Sequence, residues 1–174
     1  LRVIYIDSGN AQDNVGNPLS VSLPPNNNIN ELRDVVVDGT PPTVLKITSS
    51  VPDGRYGAGQ VLPIVATLSE PVRPGSTLVL NLNSGSQIRL TTATGGSELT
   101  GNYTISTGDV AVDRLDVVPG SLDGSTVRDT AGNQMLATDI ALTTGSLGQQ
   151  RVIALDFSSP ALIAITAIPT TGYY

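Results

Sequence analysis

The sequence predicts an all-β fold, an antiparallel β-sandwich, and three observations predict it. Short apolar or alternating runs recur along the chain, separated by clusters of Gly, Pro, Asn and Asp. No stretch carries the apolar spacing of an amphipathic helix. The composition also suits pleated strands and tight turns. Of 174 residues, 39% are hydrophobic, only 3% aromatic and 14% charged, with 18 Gly and 12 Pro. The core must therefore be Val, Ile, Leu and Ala, and the polar surface largely Thr, Ser, Asn and Gln.

In chain order, the candidate strands are 44–49, 61–68, 77–82, 87–92, 102–106, 114–118, 135–142 and 151–155. The clusters PDGRYGAG, SEPVRPGS, NSGS, TGGSELTG, STGDVAVD, PGSLDGS, RDTAGN and TTGSLGQQ read as the turns between them. Leu78, Leu80 and Leu82 alternate and so share one strand face. Lys46 reads as a solvated side chain on the first strand. Pro63 lies inside a run and demotes that stretch to a sheet edge or a bulge. A parallel β-helix is the alternative fold, but its rungs repeat every ~20–25 residues, and the repeat in this chain is far longer.

That repeat organises the sequence. With Pro42 placed on Pro160, VLKITSSVPDGRY (44–56) lies on LIAITAIPTTGYY (162–174), and RDVVVDGTPP (33–42) lies on RVIALDFSSP (151–160) without a gap. DNVGNPL (13–19) likewise lies on DTAGNQM (129–135), and Leu1-Arg2-Val3 on Leu115-Asp116-Val117. The period is about 118 residues. Residues 1–38 read as the tail of one repeat, 39–156 as a complete repeat, and 157–174 as the opening of a third. The chain begins without Met or a leader, directly in the strand-like LRVIYID, and reads as a piece of a tandem array. The short, Pro-bearing junctions VVVDGTPPTV and IALDFSSPAL would stiffen such an array into a rod.

Composition removes several functions. The chain has no Cys and no His. That leaves no Ser-His-Asp or Cys-His nucleophile, no imidazole base, and no thiolate or imidazole metal site. The net charge of −6 and the scarcity of aromatics argue against phosphate tracking and base stacking, and so against nucleic acid. No apolar run approaches the ~20 residues that span a bilayer. A glycosidase needs only two carboxylates, but it normally stacks sugars on aromatics, and here Trp is absent. The expectation is a protein that is not an enzyme. Gly57-Ala58-Gly59 is a turn rather than a dinucleotide loop. Asn102-Tyr103-Thr104 matches a glycosylation sequon, a pattern also common in ordinary strands.

The acids sit at turns. The candidates among them are Asp38 and Asp156 at the junctions, Asp53, Glu70, Asp109, Asp113, Asp129 with Asn133, and the matching pair Asp13 with Asn17. Alternate turns of a sandwich fall at one end. Carboxylates gathered there with Asn and backbone carbonyls would make an all-oxygen site suited to Ca²⁺, and they would repel one another without a cation. The same residues are also ordinary turn formers: Asp closes an Asx turn, and Gly and Asn tolerate positive φ. No EF-hand loop is present. The residues alone leave both readings open.

Taken together, TSSVPDGRYGAGQVLPIVATLSEPV (48–72), NYTISTGDVAVDRLDV (102–117), VRDTAGNQM (127–135), SLGQQRVIALD (146–156) and the DGTPPTV junction resemble the bacterial Ig-like, cadherin-like repeats of large surface adhesins, biofilm proteins and S-layer-like proteins. The resemblance implies tandem Ig-like β-sandwiches at the bacterial cell surface, with Ca²⁺ at the repeat junctions. It implies that Glu70 is the strand-end ligand and that Asp38 and Asp156 are linker ligands. It makes Asp129 with Asn133 the D-x-A-G-N loop, which Asp13 and Asn17 match in the preceding repeat. Asp109 joins this set as a candidate. Thr171 stands where the next repeat would have Asp53, and Phe157-Ser158-Ser159 replaces Gly39-Thr40-Pro41, so Asp53 is a poor ligand candidate.

The function expected is a non-catalytic, extracellular adhesive rod stiffened by calcium, whose partners are the neighbouring repeats of its own chain. The alternative is a segment of a self-assembling surface layer or filament, in which lateral copies of the chain are the partners. A third reading is a glycan- or surface-binding module using Tyr5, Tyr56, Tyr103, Tyr173 or Tyr174.

Overall fold

A computed structural model describes residues 11–19, 36–136 and 145–164. The chain forms two compact units, Leu1–Thr40 and Pro41–Tyr174. In the first unit, residues 11–19 form a small hairpin closed by an antiparallel bridge between Gln12 and Pro18. The openings and closings of the repeat alignment at 1–10, 20–35 and 165–174 lie outside the described residues, as do Tyr5, Tyr173 and Tyr174.

The second unit is all-β. Its strands are β1 (Val44–Ser49), β2 (Gly54–Tyr56), β3 (Val61–Val72), β4 (Thr77–Asn81), β5 (Gln87–Thr91), β6 (Gly96–Thr104) and β7 (Ile153–Leu155), with one helical turn, α1 (Leu147–Gln150), before β7. Five strands form an antiparallel sheet in the order β1-β3-β6-β5-β4, and β2 pairs with β7 in parallel. The strands form where apolar residues alternate. Leu62, Ile64, Ala66 and Leu68 of β3 all point into the core, as do Leu78 and Leu80 of β4 and Ile88 and Leu90 of β5. Leu82, in the same alternation, is buried too. Leu115, Val117, Leu122, Val127, Met135, Leu147 and Ile153, all from after β6, complete one continuous core against the sheet. Lys46 is exposed, as its position on β1 predicts.

Several elements differ from the sequence expectation. Pro63 does not mark an edge, because β3 runs between β1 and β6. The carbonyl and amide of a strand residue face the same neighbour. The Pro63 carbonyl accepts from Ser49 Oγ at 2.6 Å, so the missing N–H points past Ser49, where β1 ends, and no ladder bond is lost.

The stretch 114–118 is not a strand and carries a single bridge, from Val117 to Leu82. Backbone bonds hold it on two sides, the Leu115 amide donating to the Ile153 carbonyl, the Val118 amide to the Asn81 carbonyl and the Asn83 amide to the Asp116 carbonyl, and side chains add to them. Asn83 Oδ1 accepts from the Asp116 amide at 3.0 Å, and Asp116 Oδ1 accepts from the amides of Val117 at 2.8 Å and Gly148 at 2.9 Å. The expected strand 135–142 is described only at 135–136. Four clusters read as turns contain structure instead: β2 lies in PDGRYGAG, β3 ends inside SEPVRPGS, β6 begins inside TGGSELTG and α1 lies in TTGSLGQQ. Strands are thus confirmed as the dominant element, in one antiparallel sheet with a small parallel pair.

Candidate metal site and the acidic turns

The D-x-x-G-N sequence builds the same loop twice. In the second unit, Asp129 Oδ1 accepts from the amides of Gly132 at 2.6 Å and Asn133 at 2.8 Å, and Oδ2 accepts from Asn133 Nδ2 at 2.7 Å. In the first unit, Asp13 Oδ1 accepts from the amides of Val15 at 3.0 Å and Asn17 at 2.9 Å, and Oδ2 accepts from Asn17 Nδ2 at 2.8 Å. In both loops the Asp amide donates to the Asn carbonyl, and an antiparallel bridge closes the flanks. Gly16 and Gly132 have φ of 91° and 106°, a left-handed conformation that glycine adopts without a Cβ penalty. The Asx-turn expectation therefore holds at both positions.

The surroundings of the two carboxylates differ. Asp13 is exposed, whereas Asp129 is fully buried, with Val72 bridged to it across the backbone. Burial pushes the Asp129 carboxyl up. The Asn133 side chain and the amides of Asn133, Gly132 and Ala131 outweigh that effect and hold it below its ordinary 3.8. Glu70 lies near the end of β3, and a carboxylate oxygen of Glu70 and one of Asp129 come within 4.8 Å of each other. The Arg73 guanidinium donates to the Thr130 carbonyl at 3.0 Å and so packs on the same loop. This is the pair of predicted ligands that the second unit brings together.

The junction acids also repeat their local geometry. Asp38, exposed in the first unit, accepts from the Thr40 amide at 3.0 Å, and Asp156 accepts from the Ser158 amide at 2.9 Å. The Ser158 hydrogen bonds dominate in holding the Asp156 carboxyl below its ordinary value. The Arg55 guanidinium, 3.1 Å from Asp156 Oδ2, adds to the effect.

Asp109 stands elsewhere and ties a loop to the sheet. Its oxygens accept from Ser86 Oγ at 2.6 Å, the Ser106 amide at 2.7 Å and the Tyr103 hydroxyl. Burial pushes the Asp109 carboxyl up, but these bonds, that of Ser86 first, bring it below its usual value. Among the described residues, no group of three acids includes Asp109, Asp156 or Asp13. Tyr103 is itself buried, and burial together with Asp109 raises its hydroxyl to about 12. The Tyr56 hydroxyl donates to the Pro52 carbonyl at 2.7 Å. Tyr103 therefore offers no exposed ring to a glycan, and the Tyr56 hydroxyl is engaged internally.

Sequence reasoning missed Asp116, which accepts from Ser146 Oγ at 2.9 Å as well as from the Gly148 amide and so anchors α1 from outside the helix. Nothing in RLDVV marks it, because its partners lie about thirty residues away. Asp53, set aside as a ligand, accepts from the Val152 amide at 3.1 Å.

The lowered carboxyls set an acid limit on stability. A group whose folded pKa is depressed stabilises the fold above its unfolded value and loses that contribution as pH falls through the folded value. The melting temperature is expected to hold from neutrality to about pH 4 and to fall below it. Asp129→Asn should flatten that acid limb when melting is followed by circular dichroism. An unchanged limb would mean that Asp129 is not among the groups that titrate.

No protein-family model, curated protein or solved structure matches the chain. Among the described residues no helix is long and apolar enough to cross a membrane.

Proposed function

We propose that the chain is a non-catalytic structural and adhesive segment of a large bacterial surface protein. In this reading it is a run of tandem Ig-like repeats outside the cell, stiffened by Ca²⁺ at the junctions. One observation carries the reading: the D-x-x-G-N loop is built alike in both units, and its buried copy lies against a second carboxylate, Glu70. A repeated, internally bonded turn fits a modular array. Two carboxylates held together, one of them out of water, repel each other unless a cation lies between them. Asp38, an acid of the Pro-bearing junction, stays in the proposal as a linker ligand on the strength of its sequence position. Its repeat mate Asp156 would serve the unit that follows.

The test is thermal melting of the whole chain with millimolar Ca²⁺ and with chelator. A ligand that binds only the folded state stabilises it by mass action, by about 2.7 kcal/mol at a hundredfold excess over Kd, and so raises the melting temperature. The expected result is a rise that Glu70→Ala abolishes, each protein being read against its own melt in chelator. No rise in Ca²⁺ would return these residues to plain turn chemistry.

A further inference from the structure

The segments by which the chain enters and leaves the second unit are fastened to each other along their length. The Ile47 amide donates to the Gly145 carbonyl at 2.8 Å, and Arg151 Nε donates to the Ser49 carbonyl at 2.9 Å. Next, Asp53 Oδ1 accepts from the Val152 amide at 3.1 Å, and the Gly54 amide donates to the Val152 carbonyl at 3.0 Å. The β2–β7 ladder follows, with Gly54 opposite Ile153, Arg55 opposite Ala154 and Tyr56 opposite Leu155. Beyond it the Asp156 amide donates to the Tyr56 carbonyl at 3.0 Å, and Arg55 pairs with Asp156. Residue numbers rise together on both sides, so the whole array is parallel. The β7 side of the array is buried at Ile153, Ala154 and Leu155, whereas Gly54 and Arg55 of β2 are exposed.

We propose that this array is the tension lock of the unit, the element that resists unfolding when the chain is pulled by its two ends. The inference rests on the rod reading and deepens it by naming the contacts that carry its tension. Two parallel strands pulled in opposite directions, one from its N-terminal side and the other from its C-terminal side, slide along each other. All their bonds are then loaded at once and must fail together. β7 is also tied to the antiparallel stretch at Val112 and Leu115, through Val112–Leu155 bonds at 3.2 and 2.8 Å and the Leu115 amide on the Ile153 carbonyl at 2.7 Å. Pulled from a point just before Val112 and from the C-terminus, that antiparallel pairing opens from one end, a bond at a time.

Single-molecule pulling on the full chain in chelator compares the two directions. One set of handles is placed at the two ends and the other at Thr107→Cys and the C-terminus, Thr107 being exposed. Forced unfolding reads the unfolding rate. The end-to-end force is expected to exceed the Thr107 force by about twofold or more at equal pulling speed. The double variant Asp53→Ala, Arg55→Ala should lower the end-to-end force while leaving the melting temperature near that of the parent. Equal forces in the two directions would overturn the proposal even if the double variant failed to fold. An end-to-end force unchanged in a folded double variant would overturn it as well. Because chelator is present throughout, failure here is separate from failure of the calcium reading, which the melting test decides.

Discussion

Gly101→Val is expected to destabilise the second unit by about 3 kcal/mol, at the upper end for overpacked cores. Gly101 lies within β6, opposite Ile64 on β3. A Cβ at this position would run into the Arg89 carbonyl oxygen of β5 and come within 2.8 Å of Leu90 Cδ2. The first obstacle is backbone and cannot turn aside, so the sheet itself would have to open. Gly54→Ala is the control: its Cβ would meet only Tyr56 Cε2 at 3.8 Å, an ordinary contact, and the change should stay within about 1 kcal/mol. Urea denaturation of both variants checks the contrast. A Gly101→Val protein as stable as the parent would mean that β5 and β6 do not approach as closely as described.

Leu80→Ala should cost about 3 kcal/mol, the middle of the range for a buried leucine whose cavity closes only in part. Leu80 is fully buried at the centre of the alternating run of β4. Its neighbour Val79 is half-buried on the opposite face, and Val79→Ala should cost about 1 kcal/mol or less. For a domain of this size a 3 kcal/mol loss lowers the melting temperature by roughly 6–12 °C or somewhat more, which calorimetry resolves easily. If the two substitutions cost the same, the assignment of inward and outward faces on β4 would be wrong.

These two positions also show how far the sequence could be read. At Leu80 the reading was direct. A strand has a period of two, so alternation names the buried face without knowledge of what covers it. The same logic located β1, β3, β4 and β5 and placed Lys46 in solvent. At Gly101 the sequence pointed the wrong way. TGGSELTG has the composition of a turn, yet its last glycine is needed because another strand's carbonyl passes over it. Glycine has two uses, and only the neighbouring chain distinguishes them. Pro63 is a similar case: its harm depends on which partner faces its nitrogen, and β1 stops just short of it.

The candidate site divides along the same line. The loops at Asp13–Asn17 and Asp129–Asn133 close on themselves within five residues. Their bonding follows from residue type alone, and the sequence determined it in both copies. Local chemistry likewise determined the Asx turns at Asp38 and Asp156, the all-β class, and the absence of imidazole and thiol chemistry. Tertiary structure decided everything that joins distant residues. It buried Asp129 and left Asp13 exposed, brought Glu70 beside Asp129, bound Asp109 to Tyr103 and Ser86, and set Asp116 under α1. It also aligned the incoming and outgoing segments in parallel through β2, a strand that the sequence hid in a turn. The physical reason is one of range. Backbone preference and turn bonds act over a few residues and are written in them, whereas burial and cross-strand pairing depend on residues up to about a hundred positions away, which only the folded chain brings together.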